Sequence, residues 1–301
     1  MKTRYNAFNS FLKEKFGERT LKICIDGGFT CPNRDGTKGC GGCIFCSENG
    51  SGEHIKNKDI SAQIAGHLAS YRGKRANKFI AYFQNFSNTY DSVENLKAKY
   101  DTALKNEKIV ALAVATRPDC ITEEIAELLN MYKKTHYVYV ELGLQTANDV
   151  RGKILNRRFD SKDFDSAVKI LNKYDIDVVA HIMVGLPNET FDDLKNTVEF
   201  INKQNLAGIK IHSTYVVKNT LLESMYLSNQ YTPLTLEDYI KSVVYILRHI
   251  SPKIIIHRIS GDAPKNLLVA PEWNLHKKWI INGINFALEK QNVVQGDSYN
   301  I

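Results

Sequence analysis

Six apolar runs recur along the chain, and they constrain its fold more than any other feature of the sequence. The runs are continuous rather than alternating, which is typical of parallel strands that are covered on both faces. The sequence therefore predicts a parallel sheet. The runs are LKICIDGG (21–28), KFIAYFQN (78–85), KIVALAVAT (108–116), HYVYVELGL (136–144), IDVVAHIMVG (176–185) and GIKIHSTYVV (208–217).

Amphipathic segments separate these runs. In the segment 122–134, Ile125, Leu128 and Leu129 fall on one helical face, and Thr122 is a suitable N-cap. The alternation of strand and helix indicates an α/β protein, either a barrel-like (β/α)6 arc or an open doubly wound sheet. Periodicity alone does not separate the two. Similar helical patterns occupy residues 59–72, 92–104, 162–174 and 189–203.

The last third of the chain has a different pattern. Residues 233–250 and 271–290 predict helices, and residues 253–260 between them predict a strand. No low-complexity linker precedes this part, so we expect it to pack on the sheet as a smaller extension. Residues 291–300 show no such pattern, and we expect them to be loosely ordered.

Composition and charge limit the class of protein. The chain has 301 residues, 43% of them hydrophobic, which is enough for a sizeable core. No apolar run is long enough to cross a membrane, and the charged N-terminal segment lacks the apolar stretch of a signal peptide. We therefore expect a cytoplasmic protein with no membrane partner. The net charge of +7 suits an anionic partner without identifying one.

Four of the six cysteines lie close together, in the sequence CPNRDGTKGCGGCIFC that begins at Cys31. In a reducing cytosol, clustered cysteines are more often metal ligands than disulfides. A zinc site usually has two C-x2-C pairs, and the second pair is missing here. An ordinary iron–sulfur cluster would use the C-x2-C-x2-C run that ends at Cys46, completed by Cys31 or Cys24.

A third interpretation is a cluster held by three cysteines, Cys31, Cys43 and Cys46. Three thiolates leave one iron without a protein ligand, and an open coordination position is what distinguishes a catalytic metal from a structural one. S-adenosylmethionine (SAM) would chelate that iron through its amino and carboxylate groups. Electron transfer to its sulfonium would then give a 5′-deoxyadenosyl radical.

With these residues the sequence resembles the radical SAM superfamily. The spacing C-x11-C-x2-C is longer than most members use, but an aromatic residue before the last cysteine, here Phe45, is usual. Within the superfamily the chain looks like the bacterial YhcC/YtqA-type proteins, relatives of the Elongator catalytic subunit. The resemblance covers residues 5–285 and rests on seven motifs in order: IDGGFTCPNRDGTKG, YFQNFSNTY, ATRPDC, ELGLQT, HIMVGLPNET, GIKIH and HRISGDAP.

The resemblance implies a fold, a pair of cofactors and an activity. The fold is a partial (β/α)6 TIM-like barrel, with a core at residues 1–217 and a smaller α/β extension at residues 218–301. The cofactors are a [4Fe-4S] cluster and SAM. The implied activity is reductive cleavage of SAM for the modification of tRNA, with a wobble uridine as the suggested position and flavodoxin or ferredoxin as examples of the electron donor.

The resemblance also implies site residues. Cys31, Cys43 and Cys46 would hold the cluster, with Cys40 a bystander. On the sixth run, Lys210 is the candidate catalytic residue. The expected cofactor-binding residues are Phe45, Asn88, Thr89, Glu141, Gln145, Arg157 and Gly185.

Several of these positions have a second interpretation. Asn88 and Thr89 lie where relatives have Gly-Gly-Glu, and they could equally form a polar turn. Phe159 stands where relatives have a histidine, which puts the role of that segment in doubt. Glu141 lies within an apolar run and therefore needs a partner, which the resemblance suggests is SAM or its surroundings. Arg117 either meets a carboxylate or phosphate of a ligand or simply pairs with its neighbour.

The substrate stays open at the level of the sequence. A basic, partly aromatic surface near Arg258, Lys277 and Trp279 would hold an RNA backbone and stack a base, or would be a solvated charged face. A small-molecule substrate is the alternative within the enzymes. Because the Gly-Gly-Glu motif is absent, a non-catalytic iron–sulfur or zinc RNA-binding protein is the alternative outside them.

Overall fold

The computed structural model describes residues 3–50 and 59–299, and parallel strands form the centre of this part. The strands are β1 (Thr20–Ile25), β2 (Lys78–Phe83), β3 (Ile109–Thr116), β4 (Tyr137–Gln145), β5 (Asp177–Val184), β6 (Gly208–Ser213), β7 (Val216–Val217), β8 (Ile255–Arg258) and β9 (Leu268–Ala270). The helices are α1 (Phe8–Phe16), α2 (Ile60–Ala69), α3 (Val93–Leu104), α4 (Glu123–Tyr132), α5 (Asp149–Ile154), α6 (Ser161–Lys173), α7 (Phe191–Asn202), α8 (Leu221–Leu227), α9 (Leu236–His249) and α10 (Lys277–Lys290).

The main sheet has seven parallel strands in the order β1-β2-β3-β4-β5-β6-β8. Neighbours in the sheet follow one another along the chain, so the strand order never reverses as it does in a doubly wound sheet. The arrangement confirms the predicted partial TIM-like barrel with its α/β extension. The extension adds the seventh strand, β8, so the two predicted parts share one sheet. The boundary at residue 217 stays a prediction.

The two faces of the sheet differ in composition, as β3 illustrates. Leu112 and Val114 point into a large core between the sheet and the helices. Ala111, Ala113 and Ala115 point the other way, into a smaller cluster with α1 and with tyrosines of β2 and β4. That cluster joins inward side chains from β2, β3, β4, β5 and β8, so the sheet curls around it. Small alanines leave room for larger side chains inside the curl.

The two outer strands of the curled sheet, β1 and β8, are bridged by the N-terminal segment. Ala7 forms a parallel bridge with Ile256, and the Ile256 amide donates to the Asn6 carbonyl at 2.8 Å. Helix α1 follows and contacts both strands. The side of the barrel that has no strand is therefore closed by α1.

Residues 291–299 pack against the same region. Gln295 is buried, and its side chain accepts from the Asn6 amide and donates to the carbonyls of Ser251 and Ile254, at 2.8–2.9 Å. The prediction of a loosely ordered tail is wrong for these residues, because hydrogen bonding to distant backbone groups leaves no local pattern. Residue 300 lies outside the described part of the chain.

Local signals for helix starts agree with the structure. The Thr122 hydroxyl accepts from the Ile125 amide at 3.3 Å, as expected of the N-cap of α4. The run 208–217 was predicted as one strand, but it divides into β6 and β7, and β7 pairs with β9 in a separate two-stranded sheet. None of the helices in residues 3–50 and 59–299 has both the length and the apolar character to cross a membrane.

Candidate active site

A cavity of about 1080 Å³ lies inside the curl of the sheet and reaches the carboxyl ends of its strands. Parallel α/β proteins place their sites at this end of the sheet. Cys31, Cys43 and Cys46 line the cavity together, as do Phe45 and Lys210. Residues that are far apart in the sequence therefore meet in one space.

The three cysteines lie close enough to act on one another electrostatically. Burial raises the pKa of Cys43 to about 12, and Cys46 and Cys31 add to the rise. The Cys46 amide also donates to the Cys43 carbonyl at 3.0 Å. Cys40 is exposed and does not line the cavity, which agrees with its interpretation as a bystander.

The cysteine loop is anchored by Asn33, a residue that sequence reasoning did not single out. The Asn33 side chain is fully buried, and its Nδ2 lies 3.7 Å from Cys43 Sγ and 2.6 Å from the Asn156 carbonyl. Asn156 in turn donates to the Gly42 carbonyl at 2.8 Å. A Cβ at Gly39 would lie 2.5 Å from Asn33 Oδ1, so this position requires glycine. These contacts fix the loop against the segment that follows α5.

An arginine pair with a phenylalanine between its members lies beside the loop. Arg117 forms two 2.9 Å hydrogen bonds to Asp119, lines the cavity and donates to the Arg157 carbonyl at 2.8 Å. Phe159 lies 4.9 and 4.8 Å from the guanidinium carbons of Arg117 and Arg157. Burial acts to lower the pKa of Arg117, but Asp119 and the Cys31 thiol raise it. Phe159 therefore replaces the expected histidine with a cation–π contact.

Arg157 does not line the cavity. Its guanidinium is fully buried and donates to the carbonyls of Leu144 and Thr146 at the end of β4 and to Asp149. These bonds hold the turn after β4 against α5. The geometry gives Arg157 a positioning role. Its guanidinium bonds to the protein and does not face the cavity of the cysteines.

Gln145 lines the cavity at the end of β4 in a strained conformation. Its φ of 59° lies in the left-handed region, which is uncommon for a non-glycine residue. Its buried Oε1 has no hydrogen-bond partner among the described residues. A Cβ at Gly143 would lie 2.7 Å from Gln145 Nε2, so glycine there makes room for the amide. Strain and an unpaired polar atom at a cavity wall are typical of a ligand site.

The two residues that replace the Gly-Gly-Glu motif turn away from the cavity. Asn88 Nδ2 donates to the Ala115 carbonyl at 2.7 Å, and the Thr89 hydroxyl donates to the Cys120 carbonyl at 2.7 Å. Both side chains are buried, and it is their neighbour Ser87 that lines the cavity. Asn88 and Thr89 thus hold the turn after β2 on β3.

Gly185 lies at a different cavity, of about 480 Å³, at the end of β5. Its φ is 84°, and its carbonyl accepts from the Tyr231 hydroxyl at 2.7 Å. Its amide donates to Glu189 at 2.6 Å. Of the expected cofactor-binding residues, Phe45, Glu141 and Gln145 line the cavity of the cysteines, whereas Asn88, Thr89, Arg157 and Gly185 do not.

Glu141 is the centre of a buried polar network inside the barrel. Its carboxylate is fully buried and accepts from Lys22 at 2.8 Å, from His181 at 2.8 Å and from Lys210. Lys210 also donates to the Tyr82 hydroxyl at 3.0 Å. Although burial acts to raise it, Lys210 and Lys22 hold the pKa of Glu141 well below its usual value. The partners that Glu141 required are thus protein side chains.

Sequence reasoning missed Lys22, Tyr82 and His181 as members of this network. Burial and Lys210 lower the pKa of His181 to about 4, so the imidazole is neutral at pH 7 and donates a hydrogen bond to Glu141. The available signal was a single basic residue inside each of two otherwise apolar runs, Lys22 on β1 and His181 on β5. That signal identifies inward-facing positions without saying which of them meet.

Comparison with known proteins identifies the family. A family model described as the radical SAM superfamily matches residues 31–201. The chain belongs to the radical SAM superfamily. A second model, described as the radical SAM C-terminal domain, matches residues 206–290.

Two relatives resemble this radical SAM protein over most of their length. It is 37% identical over 296 residues to the uncharacterized protein YtqA of Bacillus subtilis, covering 97% of this chain and 92% of YtqA. It is 36% identical over 270 residues to protein YhcC of Escherichia coli, covering 89% of this chain and 87% of YhcC. These matches confirm the resemblance found in the sequence.

A solved structure confirms the fold. The archaeal Methanocaldococcus infernus Elp3 matches with a TM-score of 0.69 over 92% of this chain and 64% of that chain, at 18% identity. At an identity this low, the structural match establishes a shared architecture alone. It leaves the substrate to be argued from the site.

The cofactors of this radical SAM protein are a [4Fe-4S] cluster and SAM, and the residues around the cavity suit them. A cubane takes one thiolate on each of three irons, and three cysteines line one wall. The thiolates of a cubane bind three different irons, so they need not surround one ion, and no group of three or more His, Cys, Asp or Glu side chains in residues 3–50 and 59–299 does so. In the same cavity, the unpaired Gln145 carbonyl oxygen offers an acceptor for a polar ligand such as SAM.

Proposed function

We propose that the protein is a radical SAM enzyme that modifies tRNA, with Cys31, Cys43 and Cys46 as the three protein ligands of the cluster. When bound, the cluster and SAM supply a 5′-deoxyadenosyl radical that abstracts hydrogen from the substrate. The chain holds the thiolates through the Asn33 anchor and encloses the reacting groups inside the barrel. A wobble uridine is the proposed target, because the resemblance to the Elongator catalytic subunit implies it.

The charge of the cavity is the observation that carries the RNA substrate. Among the described residues, eight Lys and Arg side chains line it against two carboxylates, those of Glu141 and Asp262, and one of the eight, Arg117, is also paired with Asp119. An oxidised cluster with three thiolates has one net negative charge, and SAM bound through its neutral amine and its carboxylate has no net charge, so the two cofactors offset only one positive charge and leave the rest of the excess in place. A polyanion such as RNA balances it. The cationic residues are Lys22, Arg34, Arg72, Arg117, Lys210, Arg258, Lys265 and Lys277.

The assignment of the cluster ligands is tested by cysteine variants. The chain is reconstituted anaerobically with iron and sulfide, reduced with dithionite and supplied with SAM, and 5′-deoxyadenosine is measured. We expect Cys43→Ala to abolish its release, because the open-site cluster then loses one of three ligands. Cys40→Ala is the matched control from the same loop, and we expect it to retain release. Equal loss in both variants would favour a closed four-cysteine cluster.

The substrate is tested on tRNA itself. Total tRNA from a strain that lacks the gene is digested to nucleosides and compared with wild-type tRNA by mass spectrometry. We expect one nucleoside to change, with restoration by the wild-type gene and not by the Cys43→Ala gene. An unchanged nucleoside profile would refute the tRNA substrate.

A small phosphorylated molecule is the second candidate substrate. The volume of about 1080 Å³ is at the upper end of the range for small-molecule sites, and the same cations would bind its phosphate.

The cytoplasmic location stays a prediction, as does flavodoxin or ferredoxin as the source of the electron that radical SAM enzymes require.

A further inference from the structure

Five cationic side chains from outside the cysteine loop line the wall of the cavity. Lys22 on β1, Lys210 on β6 and Arg258 on β8 belong to this wall, and Lys210 and Arg258 are register partners on neighbouring strands. Lys265 and Lys277 lie at its rim. We call these five residues the cationic wall.

The carboxylates near the cationic wall do not neutralise it. Glu141 is shared by Lys22 and Lys210, and Asp262 is shared by Arg258 at 3.0 Å and Lys277 at 2.8 Å. The Lys210 side chain is only 4% exposed. Burial lowers the pKa of Lys210 well below its usual value, although Glu141 acts to raise it, so an anion that accompanied Lys210 would stabilise its charged form. The neighbouring His212 imidazole is affected by this charge. Burial lowers its pKa well below the usual value, and His181, Arg258 and Lys210 lower it further.

Unpaired polar atoms lie on the same wall. Ser260 follows β8, is 1% exposed and lines the cavity, and its hydroxyl has no hydrogen-bond partner among the described residues. His212 Nε2, two positions after Lys210 on β6, is also buried without a partner. A buried hydroxyl that can donate, next to ammonium and guanidinium groups, is the donor set that phosphate oxygens accept from.

We propose that the cationic wall, with Ser260, is a phosphate-binding subsite for the substrate. Phosphate is favoured over a single carboxylate because the wall offers several cations to one ligand, and a phosphate spreads its charge over several oxygens. The subsite itself follows from the wall, and its occupation by a phosphodiester of RNA rests on the proposed function. A phosphate monoester of a small nucleotide has the same chemistry, and the experiment separates the two.

Asp262 competes with the phosphate in this arrangement. Its carboxylate lies within hydrogen-bond distance of both Arg258 and Lys277. Although burial acts to raise it, Arg258 and Lys277 lower the pKa of Asp262, so the carboxylate is ionised at pH 7. Removal of its charge would release both cations to an external anion.

The test measures phosphate binding to the full chain with its cluster reconstituted and SAM bound. The probes are inorganic phosphate, uridine monophosphate and uridine, followed by isothermal titration calorimetry under anaerobic conditions. We expect both phosphates to bind and uridine to bind at least tenfold more weakly, about the effect of one charge-assisted contact. Arg258→Gln should weaken the phosphates about tenfold, whereas Asp262→Asn should tighten them several-fold.

Controls make the outcome decisive. Arg258 is 34% exposed on its side chain, so its replacement is compatible with folding, and Arg19→Gln removes an exposed arginine outside the cavity. Equal phosphate affinity in Arg258→Gln and Arg19→Gln would overturn the subsite. The absence of phosphate binding to both the wild type and Asp262→Asn would overturn it as well.

A tRNA anticodon stem-loop separates the sources of phosphate. Competition between the stem-loop and uridine monophosphate, lost in Arg258→Gln, supports the subsite and the RNA substrate together. Uridine monophosphate binding without competition keeps the subsite and rejects the proposed tRNA function. Stem-loop binding that is unchanged in Arg258→Gln, with no binding of inorganic phosphate or uridine monophosphate, rejects the subsite and keeps the tRNA proposal.

Discussion

At the scale of single residues, Glu141 has the largest effect on the interior of the barrel. It is one buried carboxylate that accepts hydrogen bonds from two lysines and a histidine, each on a different strand. Its removal leaves Lys210 buried, and Lys22 partly buried, without this counter-charge. A buried ion pair is costly to break from one side, even where the intact pair adds little stability.

We expect Glu141→Gln to lower the free energy of unfolding by about 3–5 kcal/mol at pH 7, measured by urea denaturation. Lys22 and Lys210 depress the folded-state pKa of Glu141, so its contribution is present above the unfolded value of about 4.3 and disappears as pH falls below it. The difference between variant and wild type should therefore shrink in acid.

The double variant Glu141→Gln/Lys210→Met is the control, since it removes a cation together with the carboxylate. It should recover part of the lost stability. A Glu141→Gln protein as stable as the wild type at pH 7 would contradict the network.

Sequence reasoning reached Glu141 but not its partners. A carboxylate in an apolar run requires compensation, and that requirement is visible locally. Lys22 and His181 lie on other strands, far from Glu141 along the chain, and the curl of the sheet decides that they meet. In the same way Asn88 and Thr89 were expected at SAM, yet their buried hydrogen bonds, to Ala115 on β3 and to Cys120 just after it, direct them away from the cavity.

At the scale of elements, the turn between β5 and α7 contains a carboxylate in an unusual state. Glu189 accepts from the amides of Gly185 and Leu186, at 2.6 and 3.3 Å. Burial nevertheless raises its pKa to about 7. The folded state therefore binds a proton that the unfolded chain has already released.

We expect Glu189→Gln to be about 1–3 kcal/mol more stable than the wild type at pH 8, because the amide avoids a charge that burial disfavours. The folded-state pKa lies above the unfolded value of about 4.3, so wild-type stability falls as pH rises between the two. The advantage of the variant should thus vanish near pH 5. Thermal unfolding across this range measures the effect.

Glu124→Gln, at an exposed position on α4, is the matched control and should show no such trend. A parallel pH profile for Glu189→Gln and the wild type would show that Glu189 is ionised without cost. The turn would then have to be explained by its two amide hydrogen bonds alone.

Helix starts and most strands were predictable at this scale, because caps such as Thr122 and apolar runs are local. The division of 208–217 into β6 and β7 was not. Val216 and Val217 read as a continuation of β6, and only pairing with β9, some fifty residues later, assigns them to another sheet.

At the scale of the whole molecule, the order of strands and helices was readable from the sequence, whereas the closure of the barrel was not. The seven-stranded sheet ends at β1 and β8, and α1, the segment before it and Gln295 hold that side together. These contacts join parts of the chain near both of its ends. No local pattern encodes such contacts, which explains why residues 291–299 were expected to be loose.

We expect Gln295→Ala to lower the free energy of unfolding by about 2–4 kcal/mol, since three hydrogen bonds to backbone groups, one buried and two partly buried, are lost together. Urea denaturation measures the change, with Gln291→Ala, an exposed neighbour, as the control. Equal stability of the two variants would mean that the tail only rests on the protein surface.

A complete barrel has a ring of hydrogen-bonded strands, and its circumference cannot grow unless a ladder breaks. This sheet is instead a split ring whose gap is spanned by a helix. The gap is crossed by side-chain contacts of α1, by the bridge between Ala7 and Ile256 and by the hydrogen bonds of Gln295, so a change in circumference would break these contacts and leave every ladder of the sheet intact.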